Sequence, residues 1–204
     1  IWFLSGLTCT HENDMVKSGI QRWASEEKIA VIFPDTSHRG EAVPDDDSFD
    51  LGQGAGFYVD STENPWQKNF QMWSYIVDEL PNLVLAKFPL DKEKQSIMGH
   101  SMGGLWAINI AIRNPEIYKT VSAFAPIANP TKGIWGQKQF EAYLGKETEN
   151  WKKYDPSILL NEQGYKGKIL IDQGTKDDFL KNLMPEALEK IFNNRNNGDQ
   201  LRYQ

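Results

Sequence analysis

The residues best suited to chemistry are Gly99-His100-Ser101-Met102-Gly103-Gly104, a G-x-S-x-G run. Gln95 to Met98 before it reads as a short strand, and Met102 to Arg113 after it has helical period, so Ser101 falls in a turn from strand to helix. Such a turn forces its central residue into a strained backbone and tolerates only small neighbours, which Gly99 and Gly103 supply. The Ser101 hydroxyl is then thrust outward at a helix N-terminus, where the Met102 backbone N–H can stabilise a developing oxyanion. That is the geometry of a serine nucleophile. The competing reading is a glycine-rich turn whose serine merely caps the helix.

A nucleophile in this setting needs three more parts. A second oxyanion donor is expected from the loop after an earlier strand, and Ser5-Gly6-Leu7-Thr8-Cys9 follows an apolar run at Trp2 to Ser5, which makes the Leu7 N–H the candidate. An acid that fixes the tautomer of the base is expected after a later strand. Lys168 to Asp172 leads into Gln173-Gly174-Thr175-Lys176-Asp177-Asp178, and Asp177 is preferred over Asp178 and Asp172. The base should be a histidine after the next strand, but His11, His38 and His100 all lie upstream of Asp177. His100 adjoins the nucleophile, where its side chain projects away from its neighbour, and reads as a packing and hydrogen-bonding residue placed to contact substrate. We expect the base beyond Gln204, in a chain that continues, and the apolar opening Ile1-Trp2-Phe3-Leu4 suggests that the first strands precede Ile1. Cys9 reads as a small buried hydrophobe close enough to the site to confer sensitivity to thiol reagents, and Trp135 as a lining residue of the substrate pocket.

These residues require a parallel sheet covered by helices, and short apolar runs alternating with longer helical segments describe one. Strands are expected at Trp2 to Ser5, Ile29 to Phe33, Gln95 to Met98, Thr120 to Ala125 and Lys168 to Asp172. A further strand should start at Leu201, after the turn cluster Asn194, Asn196-Asn197-Gly198-Asp199. Helices are expected over His11 to Glu27, over Trp66 to Phe88 with Phe70, Trp73, Val77 and Leu80 on one face and a kink or break at Pro81, over Met102 to Arg113, and from about Pro185 to Phe192. Thr36 to Pro65 and Pro126 to Gly145 fit neither pattern and read as long irregular loops at the carboxyl edge of the sheet, where ligands bind.

No linker or repeat divides the 204 residues, which read as one domain. The net charge of −6 and the absence of a basic block argue against nucleic acid or an anionic membrane as partner, and no apolar run is long enough to span a bilayer. A single cysteine excludes a disulfide framework and favours a reducing compartment. Gly52-Gln53-Gly54-Ala55-Gly56 lacks the Lys-Ser/Thr ending of a phosphate loop, and Asp45, Asp46 and Asp47 lack calcium-loop spacing, so no metal or cofactor is expected.

Taken together, Ser5 to Thr10, Pro34-Asp35-Thr36-Ser37, Gly54 to Asp60, Gly99 to Gly104, Ser122 to Ile127 and Ile171 to Gly174 resemble, in collinear order, the S-formylglutathione hydrolase (esterase D) family. The resemblance implies an α/β-hydrolase fold, cofactor-free hydrolysis of S-formylglutathione to glutathione and formate in formaldehyde detoxification, a cytoplasmic location and often a homodimer. It puts the nucleophile on Ser101, the acid on Asp177, the oxyanion donors on Leu7 and Met102, the family's cysteine near the site on Cys9 and its loop tryptophan on Trp135. The family's histidine lies in an Asp-His-Ser segment beyond these residues. His38 stands where proline is usual. Two alternatives accompany this reading: a general short-chain carboxylesterase on the same fold, and a non-catalytic binding protein that lacks the base.

Overall fold

A computed structural model of the chain describes residues 1–194 and 199–204. Among the described residues one sheet forms from β1 (Trp2–Leu4), β2 (Gln95–His100), β3 (Tyr118–Phe124), β4 (Lys168–Gln173) and β5 (Gln200–Tyr203), all parallel and adjacent in that order. The helices are α1 (His11–Lys17), α2 (Ile20–Glu26), α3 (Met72–Ser74), α4 (Leu80–Lys87), α5 (Met102–Arg113), α6 (Ile134–Leu144), α7 (Pro156–Glu162), α8 (Leu180–Leu183) and α9 (Glu186–Phe192).

Alternation along the strands divides the sheet into two unequal faces. Leu4, Gly99, Ala123 and Ile171 lie in one register row and are fully buried or nearly so. They face α5, which packs against β1, β2 and β3 and is buried from Met102 to Ile112; α7 packs on α5, and α9 on α7 and β5. Phe3, Met98, Ser122 and Leu170 form the row on the opposite face, where all but Phe3 are only half-buried. There α1 and α2, which contribute no buried residue, border a groove floored by Phe3, Met98 and Phe124.

Helices on both faces follow from the path of the chain. Trp2 pairs with Ile97 on one side and bridges to Ile32 on the other, so the chain first moves outward from β1 and then crosses back to β2. Right-handed crossovers that run in opposite directions along a sheet lie on opposite faces. Strand order therefore reverses at β1, and the crevice at the carboxyl ends of β1 and β2 is the place where an open α/β sheet binds ligands.

Several expectations need correction. The strand expected over Ile29 to Phe33 contracts to one bridge at Ile32, held by hydrogen bonds to the Ile1 carbonyl and from the Phe3 N–H. The helix expected over His11 to Glu27 is broken at Gly19, whose φ of 61° is left-handed and not helical. Over 66–88 the expected helix is interrupted early: Trp66–Lys68 is a single tight turn, Gln71 leaves it to bridge Asp60, and the chain is helical only from Met72 to Lys87, with Pro81 in the first turn of α4. The missing N–H is accommodated upstream by a wide turn, Tyr75–Glu79, and not by a break. Pro126 to Gly145 is not all loop, because α6 occupies Ile134–Leu144. Local propensity argues against that helix, with Gly133 and Gly136 at its start. It forms because Phe140, Tyr143 and Leu144 are buried on it, and Gly136 lets it close on Pro130, whose carbonyl oxygen a Cβ would overlap. Thr36 to Pro65 is irregular, as expected, apart from a bridge at Asp60. Residues 196–198 of the expected turn cluster lie outside the described residues, while the strand after it is β5.

Candidate active site

Ser101 sits between β2 and α5 at φ 55° and ψ −116°, a conformation that costs a residue with a Cβ about 1–3 kcal/mol and persists only where the surroundings enforce it. They do so from both sides. The Ser101 N–H donates to the Phe124 carbonyl at 2.8 Å, extending the β2–β3 ladder into the turn, and the Ala125 N–H donates to Asp172 in the same way. A Cβ on Gly103 would overlap the Leu4 carbonyl oxygen and one on Gly99 would overlap Gly103, so only glycine lets α5 start this close to the sheet. The Ser101 side chain caps nothing in α5. Ser101 is half-buried and lines a cleft of about 430 Å³.

The cleft is lined by Gly6, Leu7, Thr8 and Cys9 from the loop after β1, by His100, Ser101 and Ala125, and by Phe49, Trp135, Asp177, Phe179 and Leu183. Leu7, Cys9, His100, Ser101, Trp135 and Asp177 thus meet in one place, although they span 170 positions of sequence. Met102 is wholly buried beneath them, with its amide at the first position of α5. Neither the Leu7 nor the Met102 N–H has a backbone acceptor among the described residues, as two donors free to hold an oxyanion require. Gly6 brings the loop against Ser101: a Cβ there would lie 3.3 Å from Ser101 Cβ and from His100 Nδ1.

The three candidate carboxylates, Asp172 within β4 and Asp177 and Asp178 after it, separate clearly. Asp177 enters the cleft, where its Oδ1 accepts the Phe179 N–H at 2.8 Å and its Oδ2 accepts from Gln173 Nε2 at 3.3 Å. Asp178 is exposed, and Asp172 accepts from Gln204 Nε2 at 2.7 Å on the sheet. His11 and His38 stand outside the cleft, His11 3.8 Å from Asp35 and His38 3.5 Å from Asn69. Burial, and then the Asp14 carboxylate, push the Cys9 thiol above its ordinary value, which leaves it protonated and weakly nucleophilic at neutral pH. Asp45 and Asp46 accept backbone N–H groups of Gln53 and Ser48 in local turns.

The sequence reading named Trp135 but missed the two rings that pack on it. Phe49 packs edge-on against Trp135 with ring centres 6.4 Å apart, and Trp135 packs on Phe179 at 5.2 Å. Phe49 and Phe179 are 58% and 55% exposed, unusual for phenylalanine, and no periodic pattern in the sequence marks either of them. Loop residues 48–50 are pinned to α6 by Lys138, which donates to Ser48 and Asp50, and by Gln139 Nε2, which donates to the Asp50 carbonyl at 2.8 Å. Burial alone would raise the Asp50 carboxyl, but the Lys138 and Ser48 hydrogen bonds outweigh it and hold the group below the usual carboxylate range. Tyr143 of α6 closes the same loop, donating to the Ala55 carbonyl at 2.8 Å and accepting the Gly52 N–H at 2.9 Å.

Comparison with known proteins agrees with this architecture. The Esterase family model matches residues 1–204. The S-formylglutathione hydrolase of Paracoccus denitrificans is 58% identical over 204 residues, which are the whole of this chain and 73% of that protein. The structure of an S-formylglutathione hydrolase from Agrobacterium tumefaciens superposes with a TM-score of 0.95 at 45% identity, covering all of this chain and 74% of that one. FphF of Staphylococcus aureus, a fluorophosphonate-binding serine hydrolase, shares the fold at a TM-score of 0.72 and 21% identity, again over the whole of this chain and 73% of the other. With a strained serine between strand and helix, two free amides beside it and a near-identical backbone in a relative, the chain is an α/β-hydrolase that belongs to the S-formylglutathione hydrolase family of esterases.

Proposed function

We propose that this protein hydrolyses the thioester S-formylglutathione to glutathione and formate, with Ser101 as nucleophile. The observation that carries the reading is the Ser101 turn, which presents an uncapped hydroxyl to the cleft that Leu7, Trp135 and Asp177 also line. Ser101 Oγ bonds to the formyl carbon, the carbonyl oxygen takes the negative charge, and the Leu7 and Met102 amides receive it. Each such donor contributes on the order of 3 kcal/mol to lowering the barrier. The C–S bond then breaks, the proton from Ser101 passes through the base to the sulfur, and glutathione leaves as a thiol. Water repeats the sequence on the formyl-serine and releases formate.

Asp177 is the group that orients the base in this scheme. The base is the histidine that family members carry after their last strand, in a segment these 204 residues do not include. Trp135, Cys9 and His100 form the substrate-facing walls. A cytoplasmic location and a homodimer, both implied by the family resemblance, belong to the same proposal, and the mass of the particle in solution tests the second. In the full-length protein Ser101→Ala should abolish turnover of S-formylglutathione and of p-nitrophenyl esters. Burst acylation that persists in Ser101→Ala overturns the scheme. Specificity constants that favour p-nitrophenyl esters over S-formylglutathione would instead support the general carboxylesterase.

A further inference from the structure

The loop that carries Leu7 is gripped from behind by residues with no place in the mechanism above. The Cys9 carbonyl accepts from Arg39 Nη2 at 2.9 Å and from the hydroxyl of Thr36, a wholly buried residue. Arg39 is itself fixed, because its Nε donates to both oxygens of Asp35 at 3.0 and 3.1 Å, and Asp35 Oδ1 also accepts the Thr36 N–H at 2.7 Å. At the other end of the loop the Ser5 carbonyl accepts from the hydroxyl of Tyr58, also wholly buried, at 3.1 Å. Between these anchors the Thr8 N–H donates to the Gly54 carbonyl at 2.9 Å. Gly54 is held in turn by Ser37 Oγ, which accepts its N–H at 2.7 Å.

These anchors decide where the Leu7 amide points. The Gly6 carbonyl accepts the Cys9 N–H at 3.3 Å and is thereby turned into the loop. In a trans peptide the carbonyl and the following N–H point in opposite directions, so the Leu7 N–H is directed out of the loop, on the side where Leu7 lines the cleft with Ser101. Thr8 is held at φ 66°, a left-handed conformation that would relax if Ser5, Thr8 and Cys9 were released.

We propose that Arg39, supported by Asp35 and Thr36, and Tyr58 are positioning residues that preorganise the oxyanion-binding loop. This rests on the reading of Ser101 and Leu7 given above. Arginine suits the task because its planar fork meets a carboxylate through one nitrogen and a carbonyl through another; a lysine ammonium at the same place satisfies one or the other. Fixed donors aid catalysis because they need no reorganisation as charge develops, so a loosened loop should penalise the chemical step and not the binding of substrate.

The test is a set of variants in the full-length enzyme: Arg39→Ala, Arg39→Lys and the near-isosteric Tyr58→Phe. Each is assayed for kcat and KM with S-formylglutathione and p-nitrophenyl acetate, for affinity toward a boronic acid transition-state analogue, and for Tm. Arg39→Ala should lower kcat about 10- to 100-fold with KM changed less than about threefold, and boronic acid affinity should fall in parallel. Arg39→Lys should recover only part of this, and added methylguanidinium should partly rescue Arg39→Ala. Tyr58→Phe should show the same pattern at about 3- to 10-fold. If Arg39→Ala fails to fold, Arg39→Lys and Tyr58→Phe carry the test. The proposal is overturned if kcat stays within about twofold while Tm falls, or if KM rises at constant kcat, which would make Arg39 a substrate contact. Failure of the underlying reading shows differently, as activity that survives Ser101→Ala in an otherwise unaltered enzyme.

Discussion

The wall of the cleft that presents Leu7 and the wall that presents Asp177 are built in opposite ways. Behind Leu7, the ends and the middle of a five-residue loop are tied to side chains and carbonyls some 30 to 50 positions away, two of them wholly buried. Behind Asp177 the contacts are local: an N–H two residues on, and a long 3.3 Å hydrogen bond from Gln173 four residues back. An amide donor has no rotamers and can be aimed only by fixing the backbone on either side of it. A carboxylate can swing about its own side-chain bonds, so a turn of its own making suffices. Damage to the first wall should therefore appear in stability and chemistry together, and damage to the second in chemistry alone.

The largest effect is expected on the acid side. Asp177→Asn should lower kcat about a thousandfold or more, as loss of the tautomer-fixing acid does in serine hydrolases, with Tm within about 2 °C of the parent. Asp178→Asn should change kcat less than about twofold, and the reverse ranking in steady-state kinetics would move the acid to Asp178. Next comes Gly103→Ala, which sets a methyl group against the Leu4 carbonyl. About 3 kcal/mol of lost stability, or a Tm lower by roughly 6–12 °C, should accompany the loss of turnover. A thermal melt unchanged by this substitution would show that the Ser101 turn, which abuts the start of the Leu7 loop, is no more constrained than the wall that presents Asp177.

The smallest effect concerns the loop that brings Phe49 to the cleft. The Asp50 carboxyl is held below its ordinary value of 3.8, so its ionised form contributes stability that is fully present above that pH and is lost as pH falls through the lower, folded-state value. Asp50→Asn should lower Tm at pH 7, and the gap from the parent should close in melts taken below about pH 4. A gap that stays constant with pH would mean that Lys138 contributes through packing and not through the ion pair.

What could be read in the residues was whatever adjacent positions control. The elbow declared itself because strand, small residue, serine, small residue and helix must be contiguous, and α5 runs over the expected Met102–Arg113. Leu7 and Asp177 could be nominated because each follows a strand by a few positions. Phe49 and Phe179 escaped notice because they stand singly along the chain and meet the expected Trp135 only in the folded protein, where α6 draws in the loop at 48–50. Helix α6 escaped too, since glycines at its start lower helix propensity and burial of its inner face restores it.

The sequence by itself determined the Ser101 turn, the succession of parallel strands and the family to which they belong, because these depend on residue size and spacing within short windows. Only the tertiary structure decided which carboxylate lines the cleft with Ser101, which aromatic rings line it too and which side chains anchor the loop that carries Leu7. Those outcomes depend on contacts between segments tens of residues apart, whose meeting is set by the crossing of the chain over the sheet and by the burial that makes the crossing stable.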